Sequence, residues 1–141
     1  MDNVEELVLV VHGKDLEDAF ANLPDKFFSI LLAEHEIKPQ VTKSVMIRSN
    51  DIKSLLYKYT KKIHDFAIND ALFLNKVNGI KIEILNNEYL LTANLIGEKV
   101  NRNHKIKNMI KHVTNRNIII KEDRNGCTLQ INIIIERKNE V

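Results

Sequence analysis

The chain has 141 residues, 44% hydrophobic, 28% charged and 6% aromatic, which is enough to bury one globular core and too apolar for a disordered or collagen-like chain. Four glycines and two prolines form no linker, and the apolar runs at residues 8–11 and 131–135 are far shorter than the roughly 20 residues of a membrane helix. The net charge of +2 hides a division: residues 1–36 carry nine acids against Lys14 and Lys26, whereas residues 99–124 carry eight bases against Glu122 and Asp123.

A single domain is expected over residues 1–141. Cys127 stands alone, which excludes an internal disulfide or a thiolate metal framework, and the acidic start lacks a cationic leader, so the expected location is the cytoplasm.

Residues 4–12 are rich in β-branched side chains and predict a strand, ended by Gly13. From Asp15, a candidate cap, Leu16, Ala19, Phe20, Leu23, Phe27, Ile30 and Leu31 recur at helical spacing. Pro24 falls inside this pattern and predicts a kink or two short helices. A strand is expected over 41–48, then Ser49, Asn50 or Asp51 as the cap of a second amphipathic helix carrying Ile52, Leu55, Leu56, Tyr59, Ile63 and Phe66.

Strand chemistry follows at 71–76, at 80–85 and at 88–96, with Asn86-Asn87 as a hairpin turn between the last two. Residues 99–108 are polar and predict a loop. Residues 109–121 and 127–137 predict two strands joined by a turn containing Asn125-Gly126. The order β-α-β-α followed by several mostly antiparallel strands predicts an α+β fold with two helices packed on sheet.

No internal repeat, phosphate-binding glycine loop, HExxH, GxSxG or paired-cysteine motif occurs in the chain. Several segments, in order, nevertheless resemble one family. Gly13-Lys14-Asp15-Leu16-Glu17-Asp18-Ala19-Phe20, with Asn22 and Phe28, is similar to the first helix of the archeases, and Asp51-Ile52-Lys53-Ser54-Leu55-Leu56-Tyr57 with Tyr59 to their second. Ala71-Leu72-Phe73-Leu74-Asn75-Lys76-Val77 and Leu91-Thr92-Ala93-Asn94-Leu95-Ile96-Gly97-Glu98 resemble two of that family's strands. His104 and then Ile110-Lys111-His112-Val113-Thr114 resemble its His-containing loop and the strand after it, and residues 125–135 its final hairpin strand.

The resemblance implies a small accessory protein, not an enzyme, that assists an RtcB-type RNA ligase in tRNA splicing or RNA repair by promoting guanylylation of the ligase histidine and multiple turnover. It also implies a link to a tRNA methyltransferase, as a chaperone-like modulator. On the matching positions it suggests Lys111, Glu98 and His104 as partner or nucleotide contacts, and Asp2 and Glu6 as oxygen ligands of one divalent cation, Ca²⁺ first.

The chain departs from the family at several positions. Asp2-Asn3-Val4-Glu5-Glu6 replaces an Asp-His-Thr-Ala-Asp run, acidic positions of the family fall at Ile68 and Ile134, and a His after Thr114 becomes Arg116. The alternative expectation is an RNA-binding or chaperone-like interaction module working through the basic segment 99–124, although that segment has no aromatic residue for base stacking. A paralogue that keeps the fold without ligase activation is a third expectation. His112 is expected to be a surface imidazole, Cys127 a small buried side chain, and Phe20, Phe27, Phe28 and Leu31 core.

Overall fold

The computed structural model describes residues 3–34 and 36–137. The fold is α+β, as the sequence predicts. Its elements are β1 (Val4–Gly13), α1 (Leu16–Leu31), β2 (Val41–Ser49), α2 (Ile52–Asn69), β3 (Leu72–Leu85), β4 (Glu88–Lys99), β5 (Asn108–Val113), β6 (Ile119–Asp123) and β7 (Gly126–Arg137). β7 is the spine of one sheet, with β1 along one edge and β5 and β6 sharing the other. The second sheet has the order β2-β4-β3. Every ladder is antiparallel.

The helices join the two sheets, because α1 packs on both β1 and β3, and α2 on β2, β3 and β5. Each helix begins where an aspartate accepts a backbone N–H three residues on: Asp15 from Asp18 and Asp51 from Ser54, both at 2.8 Å. The buried faces of the helices meet the inward strand positions Leu9, Val11, Leu91, Leu95, Leu129, Ile131 and Ile133 in one continuous core. Phe20, Phe27, Phe28 and Leu31 lie in it, as expected. No described helix is long and apolar enough to cross a membrane.

Three expectations need correction. First, of the kink or two short helices expected at Pro24, the two short helices are not found: α1 is one helix through Pro24. Proline removes the N–H that would bond the carbonyl four residues back, and here that carbonyl, on Phe20, accepts the Tyr59 hydroxyl of α2 at 2.8 Å. Tyr59 is fully buried, and burial pushes its phenol far above the ordinary range, so it remains a donor. The carbonyl that Pro24 leaves unpaired is thus satisfied by a donor from the neighbouring helix.

Second, the two strands expected at 71–76 and 80–85 are one strand, β3, which stays paired with β4 across register shifts at Leu74/Lys76 and Asn78/Lys81. Gly79, with φ of +64°, supplies the backbone bend that the sequence presents as a break. Third, the strand expected over 109–121 is divided into β5 and β6 by a connection in which Asn117 adopts φ of +59°. Asparagine tolerates this left-handed conformation, and the polar Asn115-Arg116-Asn117 sequence turns the chain away from β7. The Asn86-Asn87 hairpin does form, with φ of +51° and +65° at its two residues.

Tyr59→Phe leaves the Phe20 carbonyl buried without a donor and is expected to cost about 1–3 kcal/mol in urea unfolding. Pro24→Ala in the Tyr59→Phe background returns a backbone N–H to that carbonyl and is expected to recover most of the loss. Equal stability of the single and double variants would contradict the explanation.

Candidate functional site

The first charged centre forms on the outer face of the β1-β7 ladder. Glu6 stands opposite Ile134, and Asn132 lies two residues back along β7 on the same face. The Asn132 side-chain amide donates to Glu6 Oε2 at 2.7 Å, and Arg116 Nη2 lies 3.4 Å from Glu6 Oε1. The β5–β6 connection is fixed beside this centre, because the Thr114 backbone N–H and hydroxyl both donate to the Asn132 carbonyl, each at 3.0 Å. Residues far apart in sequence thus converge on one carboxylate.

This donor set does not fit a hard divalent cation, which takes six or more oxygens. Both Glu6 oxygens are engaged by nitrogen donors, Ile134 offers no oxygen, and the Arg116 guanidinium already places positive charge on Glu6. Among the described residues there is no group of three His, Cys, Asp or Glu able to hold a metal ion. Asp2, the other expected ligand, lies outside the described residues. Ile68, the second position where an acid was missing, sits exposed on the last turn of α2, at an apolar pocket lined also by Leu31, His64, Phe73 and Ile110.

The second centre is at the far end of β4. A Cβ at position 97 would lie 1.8 Å from the Phe73 carbonyl oxygen, so only glycine lets β4 approach β3 before Glu98. Glu98 and His104 are both buried, with side chains 6% and 1% exposed, and His104 Nε2 is 2.6 Å from Glu98 Oε1. His104 Nδ1 accepts the Asn101 backbone N–H at 3.0 Å, so Nε2 carries the proton given to Glu98. The imidazole also packs on Phe73, with ring centroids 5.0 Å apart.

This pair folds the 100–107 segment back on itself, and the segment in turn closes the end of α1. The Lys107 backbone N–H donates to the Leu31 carbonyl at 2.9 Å and the Asn108 side-chain amide to the Ile30 carbonyl at 2.8 Å, satisfying acceptors that a helix end leaves unpaired. Glu98 reaches solvent through a polar pocket of about 470 Å³ that it shares with Glu34, Glu36, Lys38, Arg102 and Lys105. His104 is not among the residues lining that pocket.

Lys111 falls at the register shift of β5 against β7 and stays exposed, with Nζ 3.3 Å from Glu136 Oε2. His112 is exposed, as expected. Cys127 is buried, and burial pushes its thiol pKa up, away from the reactive thiolate. The structure thus separates the expected site residues: Glu6 lies in one charged centre, Glu98 and His104 form another, and Lys111 makes a surface ion pair.

Two polar residues were not singled out in the sequence. Asn132 lies within an isoleucine run, where its only signal is polarity inside a buried strand. His64 is buried on α2, with Nε2 2.8 Å from the Ile110 carbonyl oxygen, and burial pulls its pKa below the usual histidine range.

The geometry defines a two-sheet α+β domain whose helices bridge the sheets and whose carboxylates Glu6 and Glu98 are hydrogen-bonded by internal partners. The model of the archease protein family (MTH1598/TM1083) matches residues 6–134, and the chain belongs to that family. Protein archease of Methanosarcina barkeri is 25% identical over 134 residues, covering 93% of this chain and 90% of its own length. Protein archease of Aeropyrum pernix is 22% identical over 127 residues, covering 89% and 88%. The solution structure of Methanobacterium thermoautotrophicum protein 1598 has the same fold, with a TM-score of 0.71 at 23% identity over 96% of this chain and 99% of that one.

Calorimetric titration of Ca²⁺, Mg²⁺ and Mn²⁺ is expected to show no binding that depends on Glu6, so Glu6→Gln leaves each isotherm unchanged. A site lost in Glu6→Gln would show that the carboxylate exchanges Arg116 for a metal.

Proposed function

We propose that this chain is a non-catalytic accessory protein of an RtcB-type RNA ligase, raising guanylylation of the ligase and its repeated turnover in tRNA splicing or RNA repair. The observation that carries the reading is the archease family match across residues 6–134. The chemistry belongs to the ligase in this reading. The groups here that would otherwise attract a catalytic assignment are engaged internally: Glu98 with His104, and Glu6 with Asn132 and Arg116. Cys127 is buried.

The working surface is the outer face of the β1-β7-β5 sheet around Glu6, Arg116, Lys111 and Glu136. Its charges stand as pairs of opposite sign, and its exposed apolar side chains Val4, Val8 and Met109 give contact area. Such a surface favours a protein partner, where charge complementarity sets orientation and apolar area gives affinity. The contact does not require a divalent cation held by Glu6.

The alternative of an RNA-binding or chaperone-like module, a tRNA methyltransferase modulator among them, receives less support. Segment 99–124 is spread over a loop and two strands, and two of its bases, Lys111 and Arg116, are paired with Glu136 and Glu6.

The test is ligation of RNA ends bearing a 3′-phosphate and a 5′-hydroxyl by the ligase of the same source, with GTP. Adding this protein is expected to raise both the guanylylated fraction and the number of turnovers, and Arg116→Ala to reduce that stimulation by about tenfold. Unchanged guanylylation and turnover at every concentration would overturn the proposal.

A further inference from the structure

Between the start of α2 and the β5–β6 connection lies a cleft of about 440 Å³, a size suited to small ligands. Lys53, Ser54, Tyr57 and Lys58 line one side, and Asn115 and Asn117 the other. The four α2 residues recur on adjacent turns, flanking the buried stripe of Leu55, Leu56 and Tyr59. Ile118, itself buried, adds the apolar part of the lining.

The cleft is held in shape from both sides. Thr114 ties the connection to the Asn132 carbonyl, and Arg116, between the two asparagines, is tied to Glu6. On the α2 side, Lys58 Nζ donates to the Arg48 carbonyl at 2.9 Å.

The chemistry of the lining is one-sided. It offers two ammonium groups, two hydroxyls, two carboxamides and an aromatic ring, with no carboxylate among the described lining residues. Asp51 stands nearby as the helix cap, but its carboxylate is engaged by the Ser54 N–H at 2.8 Å and hydroxyl at 3.1 Å. Neither lysine makes an ion pair with another described residue.

Ammonium groups pair with phosphate oxygens, an aromatic face accepts a stacked base, and carboxamides donate to and accept from the polar edge of a base or ribose. From the convergence of all three in one preorganised cleft we infer that it binds a nucleoside phosphate. The phosphate sits against Lys53 and Lys58, and the nucleoside against Tyr57, Asn115 and Asn117. The segment 99–124 lacks aromatic residues, and the fold supplies Tyr57 from a distant helix. This inference does not depend on the ligase reading, because the binding belongs to this chain alone.

The test is an NMR titration that follows the Asn115 and Asn117 side-chain amides and the Ser54 backbone N–H. The probes are AMP, adenosine, inorganic phosphate and a four-nucleotide RNA with a 3′-phosphate. AMP or the oligonucleotide is expected to shift these signals saturably, with adenosine and inorganic phosphate each at least about tenfold weaker. Tighter binding of the oligonucleotide than of AMP identifies an RNA strand as the source of the phosphate; tighter or equal binding of AMP identifies a free nucleotide.

Lys53→Gln and Lys58→Gln are each expected to weaken binding about tenfold. The Lys53 side chain makes no hydrogen bond or ion pair with another described residue, so its variant reports on the ligand even where Lys58→Gln, which breaks the Arg48 contact, lowers stability. The inference is overturned by the absence of shifts at about 10 mM of either phosphate ester, by inorganic phosphate binding as well as AMP, or by binding that Lys53→Gln leaves unchanged in a folded protein.

Discussion

The hydrogen bond from the Tyr59 hydroxyl to the Phe20 carbonyl holds the two helices in register at the point where Pro24 would otherwise open the first of them. Around that bond the Phe20 and Tyr59 rings pack at 5.4 Å between centroids, and further along the same interface Phe27 meets His64 at 5.9 Å. Because the helices are what join the sheets, this interface also sets where β1, which carries Glu6, stands relative to β4, which carries Glu98. A buried carbonyl that loses its partner costs far more than an exposed one, so the contact resists sliding of α1 past α2.

The same economy of partners recurs at both charged centres. Glu6 is held by a guanidinium and an amide, and Glu98 by an imidazole whose other nitrogen is fixed by a backbone N–H. In each case the carboxylate organises a connection: the β5–β6 turn through Arg116, and the 100–107 segment through His104. The buried Glu98–His104 pair is a structural clasp on the end of α1, whereas the Glu6–Arg116 pair is largely exposed and open to a partner. Surface ion pairs of this kind contribute little to stability, so their value here lies in charge arrangement.

Local chemistry was legible in the sequence wherever it is decided locally. The cap Asp15, the Asn86-Asn87 hairpin and the apolar stripes of both helices follow from residue type and spacing, and the structure has them, while of the three caps open for the second helix, Ser49, Asn50 and Asp51, the structure uses Asp51. Features decided at long range were not. The donor to the Phe20 carbonyl freed by Pro24 comes from 39 residues beyond Phe20, and the amide that engages Glu6 from 126 residues away. The break expected between 71–76 and 80–85 is a bulge within one strand, and only pairing with β4 distinguishes a bulge from a strand end. The family resemblance supplied Glu98 and His104 as residues of interest but not their burial.

In the proposed function, this protein meets an RNA ligase with the sheet face around Glu6 and Arg116. Sedimentation velocity of this chain mixed with the ligase of the same source tests it most directly. A faster boundary carrying both proteins is expected, formed without added Ca²⁺ and weakened by Arg116→Ala in a chain that remains folded. Two independent boundaries across all concentrations, or a complex indifferent to Arg116→Ala, would contradict it.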